Sequence, residues 1–263
     1  MKKQDILKEI VAKKKEKILL AKQVLSEEEL KLKIQGLPAA RPFMEAVSKP
    51  RQISLIAEIK KQSPSAGLIR ADFNPAQIAQ IYQEVGVQAI SVLTEEDYFG
   101  GSPSFINEVK LVAQAPVLRK DFILEPYQVY ESRYFGADAI LLIADLLTQE
   151  QISDFIGIAD SLGMDSLVEV HTEKELKKVL KLKGVKLIGI NNRDLHTLEV
   201  DFRITEKLYT LIPRDKVVVV ESGLKSHQDV LFLKILGVSA VLIGTVFMEA
   251  QDIRRKVEEL MGW

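Results

Sequence analysis

The chain has 263 residues, 47% of them hydrophobic and 28% charged, which provides for a large core and excludes disorder on the scale of a domain. Its 36 Lys+Arg against 37 Asp+Glu leave a net charge of -1, so no global field draws nucleic acid or an anionic membrane towards it. Cysteine is absent, which excludes a disulfide framework, a thiolate metal site and a cysteine nucleophile, and makes a reducing cytoplasm the expected setting.

Residues 1 to about 47 read as helix, with Leu7, Ile10, Val11, Ile18, Leu19 and Leu25 forming one apolar stripe. Lys13, Lys14, Lys15 and Lys17 interrupt any secretory signal core and are read as a solvated face in preference to a nucleic-acid patch. Ser26 and Glu29 have capping-box spacing and predict a second helix start, and Gly36-Leu37-Pro38 breaks the pattern. The expectation is an N-terminal extension over residues 1–47, packed on one domain that spans 1–263.

From Ile53 onward, short β-branched runs alternate with amphipathic helices, the pattern of parallel βα units. The predicted strands are 53–60, 87–94, 116–120, 137–143, 166–170, 186–191, 217–221 and 239–244. The predicted helices are 75–85, 104–113, 126–135, 149–162, 173–180, 203–211, 226–236 and 248–261. Residues 137–147 are apolar but carry Asp138 and Asp145, and fall short of the roughly 20 residues that span a bilayer, so no membrane anchor is expected. Eight strands followed by eight helices close as a (β/α)8 TIM barrel, for which about 250 residues suffice. An open doubly wound sheet is disfavoured because the first βα turn carries no Gly-x-Gly-x-x-Gly loop.

A parallel barrel keeps its chemistry at the carboxyl ends of its strands. The first strand ends on Glu58 and Lys60, which are two apart and so share a face. Lys120, Glu169, Asn191, Arg193 and Glu221 end later strands directly after apolar runs. Two lysines, three glutamates, an amide and an arginine aimed at one space form a candidate acid/base constellation. Ser222-Gly223 and Gly244-Thr245 follow the last two strands, where barrels often bind phosphate through backbone N–H groups. His171, His196 and His227 lack a ligand spacing and are taken as loop or capping residues, with turn and cap roles for Asp121, Asp194 and Asp201. No metal site is expected.

These residues fall in stretches that resemble indole-3-glycerol phosphate synthase: 57–65 (Ala-Glu-Ile-Lys-Lys-Gln-Ser-Pro-Ser), 91–99, Arg119-Lys-Asp-Phe-Ile123, Leu167-Val-Glu-Val-His171, 188–195 and Val220-Glu-Ser-Gly223. The resemblance implies closure of an indole ring from 1-(2-carboxyphenylamino)-1-deoxyribulose 5-phosphate with loss of CO2 and water, in tryptophan biosynthesis. It implies no cofactor and no metal. By the same resemblance, Lys120 is the general acid, Glu169 assists proton transfer and stabilises a cationic intermediate, and Glu58 with Lys60 serves dehydration. Asn191 and Glu221 orient hydroxyls or these side chains. Arg193 lies near the anthranilate carboxylate, and Phe99, Phe122, Leu141, Leu195 and Leu198 wall the aromatic ring. Ser63, Ser222, Gly223, Gly244 and Thr245 fall on the phosphate cradle. Two departures stand out: Gln62 replaces a lysine carried by some relatives, and Thr245 replaces a glutamate.

A catalytic lysine in an apolar pocket is expected to have its pKa lowered towards a useful range. Two competing readings are another phosphate-binding barrel, such as phosphoribosylanthranilate isomerase, and a non-catalytic barrel that binds a phosphorylated metabolite. Either way the expected partner is a phosphorylated small molecule, with no nucleic acid and no membrane, and the expected state is a monomer.

Overall fold

The computed structural model describes residues 5–263. The first four residues of the expected extension lie outside this range. Among the described residues, eight parallel strands close into a barrel: β1 (Ser54–Ile59), β2 (Ala89–Leu93), β3 (Val117–Lys120), β4 (Ala139–Ile143), β5 (Asp165–Val170), β6 (Leu187–Asn191), β7 (Val217–Glu221) and β8 (Ala240–Ile243). Each strand pairs with the next, and β8 returns to β1 with Ile56 opposite Leu242. The TIM-barrel reading therefore holds, with no strand end displaced by more than two residues.

Strand alternation sorts the core into two layers. Leu55, Ala57 and Ile59 of β1 pack outward beneath the helices, as do Val168 and Val170 of β5. Ile56, Leu118, Leu141, Leu167, Leu187, Val219 and Leu242 point inward and fill the barrel. On β1, β3, β5 and β7 the next inward position towards the carboxyl end is Glu58, Lys120, Glu169 or Glu221.

The helices preceding β1 are α1 (Ile6–Val24), α2 (Glu27–Lys33) and α3 (Phe43–Val47). Those that follow strands β1 to β7 are α4 (Pro75–Glu84), α5 (Ser104–Val112), α6 (Pro126–Tyr134), α7 (Gln149–Ser161), α8 (Glu173–Val179), α9 (Arg203–Tyr209) and α10 (His227–Leu236). The capping box at Ser26 forms, with Ser26 accepting from the Glu29 N–H and Glu29 accepting from the Ser26 N–H. Comparable caps start α7 at Thr148, α8 at Thr172 and α10 at Ser226. Each satisfies N–H groups that the first turn leaves without an intrahelical partner.

Three expectations need correction. After β8 the single helix expected over 248–261 is two, α11 (Thr245–Glu249) and α12 (Ile253–Met261). Ala250 is extended and Asp252 accepts from the Arg255 N–H, so a cap restarts the helix where the apolar pattern alone runs on. In α1, Leu7, Ile10 and Ile18 are buried but Leu19 is 60% exposed, because the helix turns it away from α6. Lys14 is not on a solvated face: it is buried and ion-paired with Asp121 at 2.8 Å.

The segment before β1 runs along the whole barrel. Ile6, Leu7 and Ile10 reach the carboxyl-end mouth, while Ile18 packs with Leu30, Leu124 and Tyr127 beside α6. At the opposite end, the Met44 N–H donates to Asp165 at 2.8 Å, and the Arg41 N–H donates to Asp138 at 2.7 Å.

Candidate active site

The mouth holds a cavity of about 1190 Å³ whose wall includes every site residue named from the sequence, from Glu58 on β1 to Thr245 after β8. Its polar part divides into two hydrogen-bonded groups. In the first, the Lys60 ammonium donates to Glu58 at 2.7 Å. In the second, the Lys120 ammonium lies 3.2 Å from Glu169 and 2.9 Å from Glu221, and the Asn191 amide donates to the other oxygen of Glu169 at 3.0 Å. Strand register builds this second group, since Asn191 lies beside Glu221 and Glu169 beside Gly189.

Two glycines make room for the carboxylates. A Cβ on Gly189 would fall 2.8 Å from Glu221 Oε1, and one on Gly244 would fall 2.4 Å from Glu58 Oε1 and 2.8 Å from its Cβ. Gly244 therefore serves the carboxylate of a neighbouring strand in addition to any ligand.

The electrostatics correct the expectation for Lys120. Burial alone lowers a lysine pKa, but Glu169, Glu221 and Glu58 together outweigh it and raise Lys120 above the usual 10.5. The side chain is an ammonium throughout the neutral range. For Glu221 burial dominates and Glu169 adds to it, which pushes the carboxyl up to about 7 against the opposing pull of Lys120. Glu221 Oε1 is buried without a hydrogen-bond partner, so the ionised carboxylate is satisfied on Oε2 alone, by Lys120. Burial lowers the Arg193 pKa, with Glu58 acting against it, and its guanidinium donates to the Leu198 carbonyl at 2.8 Å.

The apolar wall is formed by Phe99 and Phe122, whose ring centroids lie 6.2 Å apart, with Leu141, Leu195 and Leu198. At the glycine-lined end, Ser222 has φ 68° and Gly223 φ 87°. A Cβ on Gly223 would meet Val200 Cγ1 at 2.8 Å, so both conformation and space call for glycine. The Ser63 hydroxyl accepts from the Ala66 N–H at 3.2 Å within its own loop.

The histidines are loop or helix-start residues as expected, with His196 bridging Asp5 and Asp145. Asp194 and Asp201 accept from backbone N–H groups two or three residues on, as turn residues do. Asp121 is neither turn nor cap: its buried carboxylate joins Lys14, Arg119 and Thr94. Sequence reasoning also missed the cavity contributions of Ile6, Leu7 and Ile10 from α1 and of Lys225 and Lys256. Leu7 and Ile10 carry a signal as stripe residues, but nothing local says that the stripe ends at the mouth.

The family model described as indole-3-glycerol phosphate synthase matches residues 7–260. The chain belongs to the indole-3-glycerol phosphate synthase family. A relative of that name from Acetivibrio thermocellus is 49% identical over 97% of this chain and 98% of its own. Another from Desulforamulus reducens is 46% identical over 97% of each. Among solved structures, a mutant tryptophan synthase alpha-subunit from Pyrococcus furiosus aligns with TM-score 0.60 at 16% identity, covering 80% of this chain and 98% of that one. The 3-hexulose-6-phosphate synthase from Salmonella typhimurium aligns with TM-score 0.59 at 13% identity, over 80% and 97%. These two share the fold. As a member of the indole-3-glycerol phosphate synthase family, the chain is a carboxy-lyase of tryptophan biosynthesis that acts on a phosphorylated small molecule. No helix among the described residues is long and apolar enough to cross a membrane.

Proposed function

We propose that the mouth closes and aromatises the indole ring of 1-(2-carboxyphenylamino)-1-deoxyribulose 5-phosphate with Lys120 as general acid. The reading is carried by one observation: the Lys120 ammonium, held between Glu169 and Glu221, opens onto the same cavity as the aromatic wall and the glycine-lined loops. The aryl ring lies against Phe99, Phe122 and Leu141, its carboxylate faces Arg193, and the phosphate lies along Ser63, Ser222-Gly223 and Gly244-Thr245.

The aryl carbon that bears the carboxylate attacks the ketone, and the ketone oxygen takes a proton from Lys120. A charged donor beside that oxygen offsets the negative charge as the carbon–oxygen double bond opens. The positive charge left on the ring and its nitrogen is balanced by Glu169, which Asn191 holds in place. Breaking the bond to the carboxyl carbon releases CO2 and returns the electron pair to the ring. In the last step the new hydroxyl leaves as water with a proton from Lys60, and Glu58 takes a proton from the adjacent carbon. The Lys60–Glu58 pair thus supplies both the acid and the base of an elimination. A monomer in a reducing cytoplasm is the expected state, the absence of cysteine suiting that setting.

The test is turnover of that substrate, followed by indole fluorescence and CO2 release. Lys120→Ala and Glu169→Gln are each expected to lose at least about 10²-fold in kcat with the fold retained, the scale of a missing acid or base. Near-normal turnover in both would discard these assignments.

A further inference from the structure

Lys120 is flanked in sequence by Arg119 and Asp121, whose side chains bond to groups behind the barrel wall, Asp121 also bordering the cavity. Arg119 and Asp121 share the outward parity of β3, and both are buried between the barrel and its helices. Asp121 receives four donors on two oxygens. Oδ2 accepts from the Thr94 hydroxyl at 2.6 Å and from Arg119 at 3.1 Å. Oδ1 accepts from Lys14 at 2.8 Å and from the Phe122 N–H at 2.8 Å. Arg119 in turn donates to Thr94 at 3.1 Å, to Ser132 at 3.2 Å and to Glu131 at 2.8 Å.

The backbone on both sides of Lys120 is tied to the same network. The Thr94 N–H donates to the Lys120 carbonyl at 3.1 Å, while the Asp121 carboxylate holds the Phe122 N–H. Gln128 closes the loop by donating to the Phe122 carbonyl at 2.9 Å and accepting from the Leu124 N–H at 2.7 Å. Lys14 and Arg119 balance Asp121 and Glu131 in charge, so the network is neutral and its carboxylates are not left buried alone.

We propose that Asp121 is a positioning residue for the reaction, fixing the backbone that aims Lys120 at the ketone and Phe122 at the ring. Both its oxygens are taken up by protein donors, so it acts through its neighbours. Its oxygens face the rear of the strand, and they join three separate parts of the chain: α1 through Lys14, the end of β2 through Thr94, and the loop into α6 through Phe122. A carboxylate with every lone pair engaged by a fixed donor cannot swing, so the two residues beside it have one orientation. Near-attack geometry tolerates little error, since a displacement of about 1 Å costs about 10²-fold in rate. The inference rests on the assignment of Lys120 as general acid and adds what holds that acid in place.

The experiment compares Lys120→Ala, Asp121→Asn, the charge-balanced Lys14→Met/Asp121→Asn, and Glu131→Gln. Each is assayed for kcat and KM well below its own Tm. Asparagine keeps the size of Asp121 but turns one acceptor into a donor, which opposes either Lys14 with Phe122 or Thr94 with Arg119. Both Asp121 variants are expected to lose about 10- to 100-fold in kcat with KM within about threefold, while Glu131→Gln, at the far end of the network, lowers Tm but keeps kcat within about twofold. If Asp121→Asn does not fold, the charge-balanced double variant and Thr94→Val, which deletes one bond to Asp121 and keeps every charge, carry the same expectation. Wild-type kcat in the folded Asp121 and Thr94 variants, with only Tm lowered, overturns the positioning role and leaves the network a stability feature. An equal loss of kcat in Glu131→Gln also overturns it. Retained turnover in Lys120→Ala would instead remove the underlying assignment, so the two failures are distinct.

Discussion

Gly244 and Glu58 meet where β8 closes onto β1, and the contact ties a loop glycine to an acid on another strand. The Cβ that alanine would add at 244 overlaps both Glu58 Oε1 and Glu58 Cβ, and a Cβ is not a flexible end that can swing aside. Gly244→Ala is therefore expected to displace Glu58 from Lys60, lowering kcat by about tenfold or more, with an overpacking cost of about 1–3 kcal/mol in stability. Steady-state assays with a urea melt check both, and an unchanged kcat would show that Glu58 can move without consequence. At this scale the sequence reveals much of the candidate site. Polar residues that end apolar runs on alternate strands of a closed barrel have only one place to point, so Glu58, Lys120, Glu169 and Glu221 reach one cavity. The protonation of Lys120 is not legible in the same way. It depends on two carboxylates brought within 3.2 Å by strands β5 and β7, and their effect exceeds the desolvation that a lone apolar pocket would impose.

At the scale of elements, α1 shows what a hydrophobic stripe conveys and what it leaves out. The spacing of Leu7, Ile10 and Ile18 marks a buried face, but Leu19 is one residue beyond it and Lys14 lies within it. A lysine breaks the apolar pattern, and only tertiary docking against Asp121 converts it into a buried group. The cap at Asp252 is hidden in the same manner, because apolar spacing alone does not register a three-residue interruption between α11 and α12. A paired substitution tests this docking. Ile18→Ala removes a side chain packed on Leu30, Leu124 and Tyr127 and is expected to cost about 2–5 kcal/mol. Leu19→Ala, at a position 60% exposed, is expected to stay within about 0.5 kcal/mol. Chemical denaturation of both variants checks the contrast. Equal effects would mean that α1 is not seated on α6 by this face.

Across the whole molecule, the barrel brings Glu58, Glu169 and Glu221 together with Lys60, Lys120 and Arg193 in one cavity. Grouping charges there makes folding stability depend on pH, and each shift has a definite sign. Lys14 and Arg119 outweigh burial and hold Asp121 below the usual 3.8, so its contribution is present above that pH and is lost as pH falls through the acid range. Lys120 is raised above 10.5, so its contribution is complete below that pH and is lost as pH rises beyond it. Glu221 works differently, because a carboxyl raised from 4.5 to about 7 binds its proton more tightly in the folded state. Stability must therefore decline as pH rises between those two values, by about 3 kcal/mol if the whole shift is expressed. Glu221→Gln keeps an acceptor for Lys120 but has no proton to lose. Its expected effect is a flattened stability profile between pH 4.5 and 7 and a gain of about 1–3 kcal/mol at pH 8, part of the 3 kcal/mol being offset by the weaker pull on Lys120. The same variant is expected to lose turnover, because the cluster that holds the Lys120 ammonium has lost a charge. Urea melts of the two proteins across pH 4 to 9, with kcat measured alongside, decide the matter: parallel stability curves would show that Glu221 titrates in the folded protein as it does in the unfolded chain.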